Sequence, residues 1–387
     1  MSATNNKLKM FLKVVLLGAA VCVGTIASAA TYTYTWQEVD GNWDGNISDS
    51  AHWKCDTANR PASPETTSDK LSIKIPAGVQ ARITIDKDLS VGSFFSESGS
   101  HVTLVSVDKA DTGELTHLQL SSGLYIRESA TLILDRAKIT NSGDSVSVQK
   151  GGVGIVKNSS SLWCKNVYLN NASATSYWEV SGKATVDVGV LYIGGGNRFV
   201  IDDATVRCRN RVGIGTDSST VTSDSTSLLF RGAEPKLVLY NDGWPDGRDL
   251  QVCGVNQKVN GDILNFDFLI PENGFNSTPI VMDDGESSQY LFGAPYQNNT
   301  AAKGKLCFNL LEESPAVIAR KRINQKLVEW TLRGENEEGF CKDAMEEGIP
   351  PKKAREQTFS FEEPTENHFI YSVLLDCRPT GFKVIVR

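Results

Sequence analysis

The sequence carries none of the compact signatures of a catalytic chain. Its 387 residues hold no His-Glu-x-x-His zinc motif and no Gly-x-Ser-x-Gly nucleophile turn. "IGGGN" (193–197) has the glycines of a phosphate loop but no helix to follow, so it reads as a turn. The four histidines (His52, His101, His117, His368) are scattered, and no cysteine pair stands at Cys-x-x-Cys distance, which leaves a Cys/His zinc site without support. Basic residues are in deficit, 39 Lys and Arg against 46 Asp and Glu, for a formal net charge of −7. A phosphate backbone demands a concentrated cationic surface, so the balance argues against nucleic acid as a partner. The densest basic clusters, 319–322 and 352–355, are short and flanked by glutamates, and read as solvated surface. After residue 30 no apolar run is long enough to cross a bilayer.

What is present begins with an address. Lys7, Lys9 and Lys13 precede the apolar run Val14 to Ile26, which ends in Ala27-Ser28-Ala29-Ala30. This is the pattern of a secretory signal peptide over residues 1–29, cleaved after Ala29 or Ala30. Cys22 is not read as a lipidation site, because Val21 before it is too bulky. The expected location is secreted, extracellular or at the cell surface, with the periplasm as the alternative, and no transmembrane segment remains after cleavage. Seven cysteines then remain, an odd number at wide spacings, unlike a dense disulfide scaffold.

The composition, 40% hydrophobic and 22% charged, is that of a globular chain able to bury a sizeable core, as one elongated domain or two compact ones. From about Val91 no proline occurs until Pro235, no helical periodicity appears, and short β-rich runs alternate with Gly, Ser, Asn and Asp. "LYIRESATLILDRAKIT" (124–140) aligns without gaps on "LYIGGGNRFVIDDATVR" (191–207). "VGIVKNSSSLWCKNVYL" (153–169) and "VGIGTDSSTVTSDSTSLLF" (212–230) share the plan Gly-Ile, polar turn, apolar strand. Repetition of short strands predicts an all-β chain built as a right-handed parallel β-helix, in which each coil buries its neighbour's apolar face. An antiparallel sandwich is the alternative. Cys164, Cys208 and Cys253 are spaced 44 and 45 residues apart, which at coils of about 22 residues puts them on one face but two coils, roughly 9.6 Å, apart. That is beyond the ~7 Å Cα separation a disulfide tolerates, so these three are expected to stay unbonded and serve as small apolar residues.

The expected organisation is a signal peptide (1–29), a Trp-rich N-terminal cap (30–80), β-helix repeats (81–232) and a mixed, mainly β C-terminal region (233–387). In that last region, 314–325 and 335–348 are candidate short helices, 263–270 and 326–332 candidate strands, and 368–376 and 382–387 a closing hairpin.

The segment "TWQEVDGNWDGNISDSAHW" (35–53) admits three roles. Asp40, Asn42 and Asp44 followed by Gly45 match the first half of an EF-hand loop, so calcium is the ion they would take, although Ala51 stands where the bidentate Glu belongs and no other cofactor is called for. Trp36, Trp43 and Trp53 would suit sugar rings, which stack on indoles. The third role is structural. Trp36, then Asp40-Gly41-Asn42-Trp43, then Ala51-His52-Trp53 resembles the opening segment of secreted bacterial β-helix proteins of the autotransporter-passenger, or autotransporter-associated β-strand, type. The resemblance covers 35–75 and implies that this segment begins the solenoid and lids its first coil, with Gly41 and Gly45 allowing tight reversals. No C-terminal membrane barrel accompanies it, which leaves a passenger-like secreted protein.

Many parallel β-helices act on acidic polysaccharides, so an enzyme of that pectin-lyase-like kind must be weighed. The candidate catalytic residues are Asp202, Asp203 and Arg207, with Arg209 nearby and Asp135-Arg136 at the equivalent place in the earlier repeat. Their recurrence also fits a polar corner between strands. A second acidic group, Asp242, Asp246 and Asp249 with Asp283, Asp284 and Glu286, reads as divalent-ion ligands or as two turns. The leading expectation is a secreted or cell-surface β-solenoid with a structural or adhesive role toward polysaccharide or cell-surface matrix. A polysaccharide lyase or glycoside hydrolase is the alternative.

Overall fold

The computed structural model describes residues 31–143, 145–169, 175–194, 196–215, 227–240, 251–252, 263–283, 305–310, 325–332, 356–365 and 368–376. Within them the chain is all-β, apart from a single 3-10 turn at Ser50–His52. The strands collect into a sixteen-stranded and a ten-stranded sheet, between which the chain passes back and forth over most of its length.

Over the body of the chain, neighbouring strands run parallel. In the larger sheet Ile139 faces Leu118 on one side and Leu162 on the other. In the smaller one, Val153–Lys157 lies between Thr131–Asp135 and Tyr177–Ser181. Each strand therefore pairs with strands one circuit earlier and one circuit later. That arrangement is compatible with a β-solenoid and excludes the antiparallel sandwich, where consecutive runs pair in opposite directions. Lys138, Ser161, Thr185 and Thr205 stand in one column, so a circuit here takes 20 to 24 residues.

Alternation along each strand decides what the columns contain. Leu124, Val146, Val167, Leu191 and Val212 form one inward column, all buried. In the smaller sheet the inward sequence is Val102, Leu132, Gly154, Trp178, Phe199, Leu228 and Phe266. Each fully buried side chain of this size contributes about 1.5–3 kcal/mol, which is how a loop-rich chain offsets its ordering entropy. Gly154 belongs to that column because its neighbour is large: a Cβ there would lie 2.3 Å from the Trp178 ring.

The gapless repeat is real in space. Leu124 and Leu191 share an inward column three circuits apart, and Asp135 and Asp202 both end strands of the smaller sheet. The second pair of runs is out of phase: Val153 is in the ten-stranded sheet and Val212 in the sixteen-stranded one, so their likeness is one of texture. Cys164 faces Val188, which faces Cys208; both cysteines are buried and unbonded, and Cys253 lies outside the described residues.

Parallel pairing runs past both expected bounds of the repeats. Thr33–Trp36 pairs in parallel with Lys70–Ile73, and Lys236–Tyr240, Ile263–Phe268, Ile280–Asp283 and Lys305–Leu310 continue the two sheets. Antiparallel strands stand at the two ends of the larger sheet: Trp53–Cys55 on Thr33–Trp36, and His368–Asp376 between Gln325–Leu332 and Glu356–Thr365. The candidate helices lie outside the described residues, except Gln325, which begins a strand; so does 382–387 of the expected hairpin. No helix among the described residues is long and apolar enough to cross a membrane.

Candidate functional site

The outward positions of the sixteen-stranded sheet form columns of their own. Ser90, Gln119, Thr140, Trp163, Asp187, Arg207 and Val238 follow one another in register, one rung per circuit. Rungs stand roughly 4.8 Å apart, so side chains on successive rungs are in contact range. The first rungs are joined by hydrogen bonds: the Ser90 hydroxyl donates to the Gln119 Oε1 at 3.0 Å, and His117 Nε2 lies 2.8 Å from the Thr140 hydroxyl. Burial holds the His117 imidazole below its ordinary pKa, with Lys138 acting in the same direction.

From Trp163 onward the column becomes an aromatic and ionic cluster. Asp187 Oδ1 lies 3.0 Å from Arg209 Nε, and its Oδ2 lies 4.0 Å from the Arg207 guanidinium. The Tyr240 hydroxyl donates to the same carboxylate, 3.2 and 3.1 Å from its two oxygens. Each arginine covers a ring: Arg209 stands 4.6 Å from the Trp163 ring centroid and Arg207 4.5 Å from that of Tyr240. Arg209 arrives there through a bulge, since the register shifts between Val188 and Val190, and bulges re-aim side chains. The Arg209 guanidinium also donates to the Cys164 carbonyl at 2.9 Å and is only 11% exposed, whereas that of Arg207 is 49% exposed. Burial, then the Asp187 charge, pushes the Tyr240 phenol up to about 12. At neutral pH Tyr240 is therefore a donor and not a base.

The residues singled out as catalytic do not assemble. Asp202 ends its strand in the ten-stranded sheet, 2.7 Å from Arg231 Nε, and Arg231 also reaches Glu179 at 3.2 Å. Asp203 occupies the following corner with φ of 48°, its carboxylate accepting from the Glu234 backbone N–H at 2.7 Å. Arg136 holds the equivalent corner with φ of 52°, and Asp135 there accepts from the Asn158 amide at 2.8 Å. These are corner supports. Arg207 is instead on the other sheet, in the cluster above. Of the second acidic group, Asp283 ends Ile280–Asp283; the other members lie outside the described residues.

The N-terminal candidates are likewise engaged in structure. Trp36 is fully buried, donates from Nε1 to the Trp43 carbonyl at 2.8 Å, and lies 4.5 Å from His52 in a stacked pair and 4.8 Å from Trp53 edge-on. Trp53 is buried and donates to the Ile47 carbonyl at 2.9 Å; Trp43 is half-buried against the core. The two buried indoles offer no face to a sugar. Asp40 and Gly41 both take positive φ in a tight reversal closed by the Val39 and Asn42 pair. The Asn42 Oδ1 accepts from the Asp44 N–H at 3.0 Å, and the Asp44 carboxylate accepts from the Arg82 N–H at 2.6 Å. Gly45 serves close approach and not a reversal: a Cβ there would meet the His52 ring at 2.4 Å. Among the described residues no group of three or more His, Cys, Asp or Glu is disposed to hold a metal ion.

Aligning the two cysteines would have pointed to the cluster, because Trp163 and Arg207 each precede one of them. Comparison with protein-family models, with curated proteins and with solved structures finds no match for this chain.

Proposed function

We propose that this protein is a secreted or cell-surface β-solenoid that binds glycan or matrix polysaccharide on the outer face of its sixteen-stranded sheet and performs no chemistry on it. The observation that carries the reading is the outward cluster in which Trp163 and Tyr240, each covered by an arginine, stand on the same strands as, or strands adjacent to, the hydroxyl rungs Ser161, Thr185 and Thr205. Sugars present apolar C–H faces and hydroxyls together, and this face presents half-buried aromatic rings and hydroxyls together. Chemistry on the sugar would need a free base or a pair of carboxylates flanking one bond. The Asp187 carboxylate is instead taken up by two guanidinium groups and a phenol, and Asp202 and Asp203 support a corner.

The same reading takes the solenoid as right-handed, and the buried Trp36 and Trp53 as the lid of its first coil. It takes residues 1–29 as the export signal and the 35–75 segment as akin to autotransporter-type passengers. The test is affinity electrophoresis of the secreted protein through gels cast with neutral and acidic polysaccharides, beside assays for new reducing ends and unsaturated products with and without calcium. Retardation by a polysaccharide, weakened by Trp163→Ala and with no product formed, is the expected result. Turnover that disappears in Asp202→Asn with Asp203→Asn would instead establish the lyase or hydrolase.

A further inference from the structure

We infer that the outer face around Arg207 selects glycans that carry carboxylates, a reading that rests on glycan binding by this face and narrows it. The chain as a whole is acidic, with a formal net charge of −7. The strands that build this face are not. Across Lys138–Asn141, Ser161–Leu169, Thr185–Gly194, Thr205–Gly215 and Lys236–Tyr240, the sole carboxylate is Asp187, and it is already paired. Lys138, Lys165, Arg207 and Lys236 all reach solvent from these strands. Charge is segregated over these five strands, up to the next one, where Asp283 stands in register with Tyr240, and cationic patches on acidic proteins concentrate anionic partners.

The two arginines divide the work. Arg209 is 11% exposed and committed to Asp187 and the Cys164 carbonyl, so it is a positioning residue that holds Asp187 and covers Trp163. Arg207 is 49% exposed and its ion pair with Asp187 is long, 4.0 Å, so its planar fork is presented to solvent while the Tyr240 ring fixes its orientation. A guanidinium held in that way is suited to bidentate recognition of a carboxylate. The adjoining Ser161, Thr185 and Thr205 rungs favour a hydroxyl-bearing polymer over an acidic peptide, which has no hydroxyls to match them.

The experiment is titration calorimetry of the secreted protein with three polymers: polymannuronate, whose every ring bears a carboxylate; the same polymer with its carboxyls reduced to alcohols; and poly-L-glutamate. Expected are binding to polymannuronate at least tenfold tighter than to the reduced polymer or to polyglutamate, a loss of about tenfold or more in Arg207→Gln, and a smaller loss in Lys236→Gln. Should Arg207→Gln fail to fold, Lys236→Gln at the rim carries the test. Equal binding of the two glycans, or indifference to both substitutions, overturns the carboxylate assignment while leaving glycan binding intact. Equal binding of polyglutamate overturns selection for a glycan. Binding to none of the three polymers, with no neutral polysaccharide retained on the electrophoresis panel either, removes the glycan reading itself.

Discussion

Gly154 and Trp178 are 24 residues apart in sequence and meet only because consecutive circuits stack in register. A methyl group added at Gly154 would lie 2.3 and 2.4 Å from two atoms of the Trp178 ring. Trp178 is 1% exposed and stacks against Phe199 at 6.5 Å, so it has little room to retreat. Overpacking of this kind costs about 1–3 kcal/mol, set against a gain of about 0.5–1 kcal/mol from replacing glycine in a strand. Gly154→Ala is therefore expected to destabilise by about 1–2 kcal/mol. Trp178→Leu removes the obstructing ring and leaves a cavity, at a cost of about 2–4 kcal/mol on the scale of large-to-small core changes. In the double variant the new methyl enters that cavity, so the combined loss should fall short of the sum by at least about 1 kcal/mol. Urea unfolding of the four proteins, followed by tryptophan fluorescence and far-ultraviolet dichroism, supplies the energies. Additivity to within about 0.5 kcal/mol would mean that the two residues do not touch, and the stacking register would be wrong.

Other expectations follow from the same geometry. The His117 ring should titrate below 6.5 in the folded protein; the unfolded chain then takes up the proton first, so stability is highest above that pH and declines as pH falls through it. A nuclear magnetic resonance midpoint at or above 6.5 would contradict this, and His117→Gln should lack that part of the acid-side decline. Burial pushes the Cys164 thiol far up, and Cys208 is equally enclosed, so neither should react with iodoacetamide at pH 8 until denaturant is added, while half-buried Cys55 reacts. Oxidation of the native protein should yield no Cys164 to Cys208 bond, and peptide mapping would reveal one. Asp203→Asn should lower thermal stability by the equivalent of about 1 kcal/mol, as for other side-chain caps of backbone N–H groups, and leave polysaccharide retardation unchanged.

The parts of the fold legible in the sequence are those in which repetition and alternation coincide. Leu124-Tyr-Ile and Leu191-Tyr-Ile occupy the same phase of the circuit, with Leu and Ile inward and Tyr outward, because the same pleat is imposed twice. The spacing of Cys164 and Cys208 reported two circuits for the same reason. The Val153 and Val212 runs deceived because a Gly-Ile pair after a valine suits a strand in either sheet, and nothing local records which sheet it joins. Parallel pairing beyond Gly232 was hidden by the growing length of the excursions between strands, such as that separating Ser227 from Asn265 on adjacent rungs. The outward cluster was hardest to see. Trp163, Asp187, Arg207 and Tyr240 come from four circuits, and each taken alone is an ordinary surface residue. Asp202 and Asp203 stand out as a doublet, but the strand ends between them, which leaves one on Arg231 and the other on a backbone N–H.

The binding face exists only if its rungs are in register, and electron-electron distance measurement tests that directly. Spin labels at Gln119 and Arg207, in a background with Cys55, Cys253, Cys307, Cys341 and Cys377 changed to serine and the buried Cys164 and Cys208 kept, are separated by four rungs. In-register stacking gives a backbone separation of about 19 Å plus the label arms, increasing by about one strand spacing, 4.8 Å, when the first label moves from Gln119 to its neighbour Ser90. A distance that does not follow the rung count, or one beyond about 40 Å between the first pair, where four strand spacings allow about half that, would contradict it.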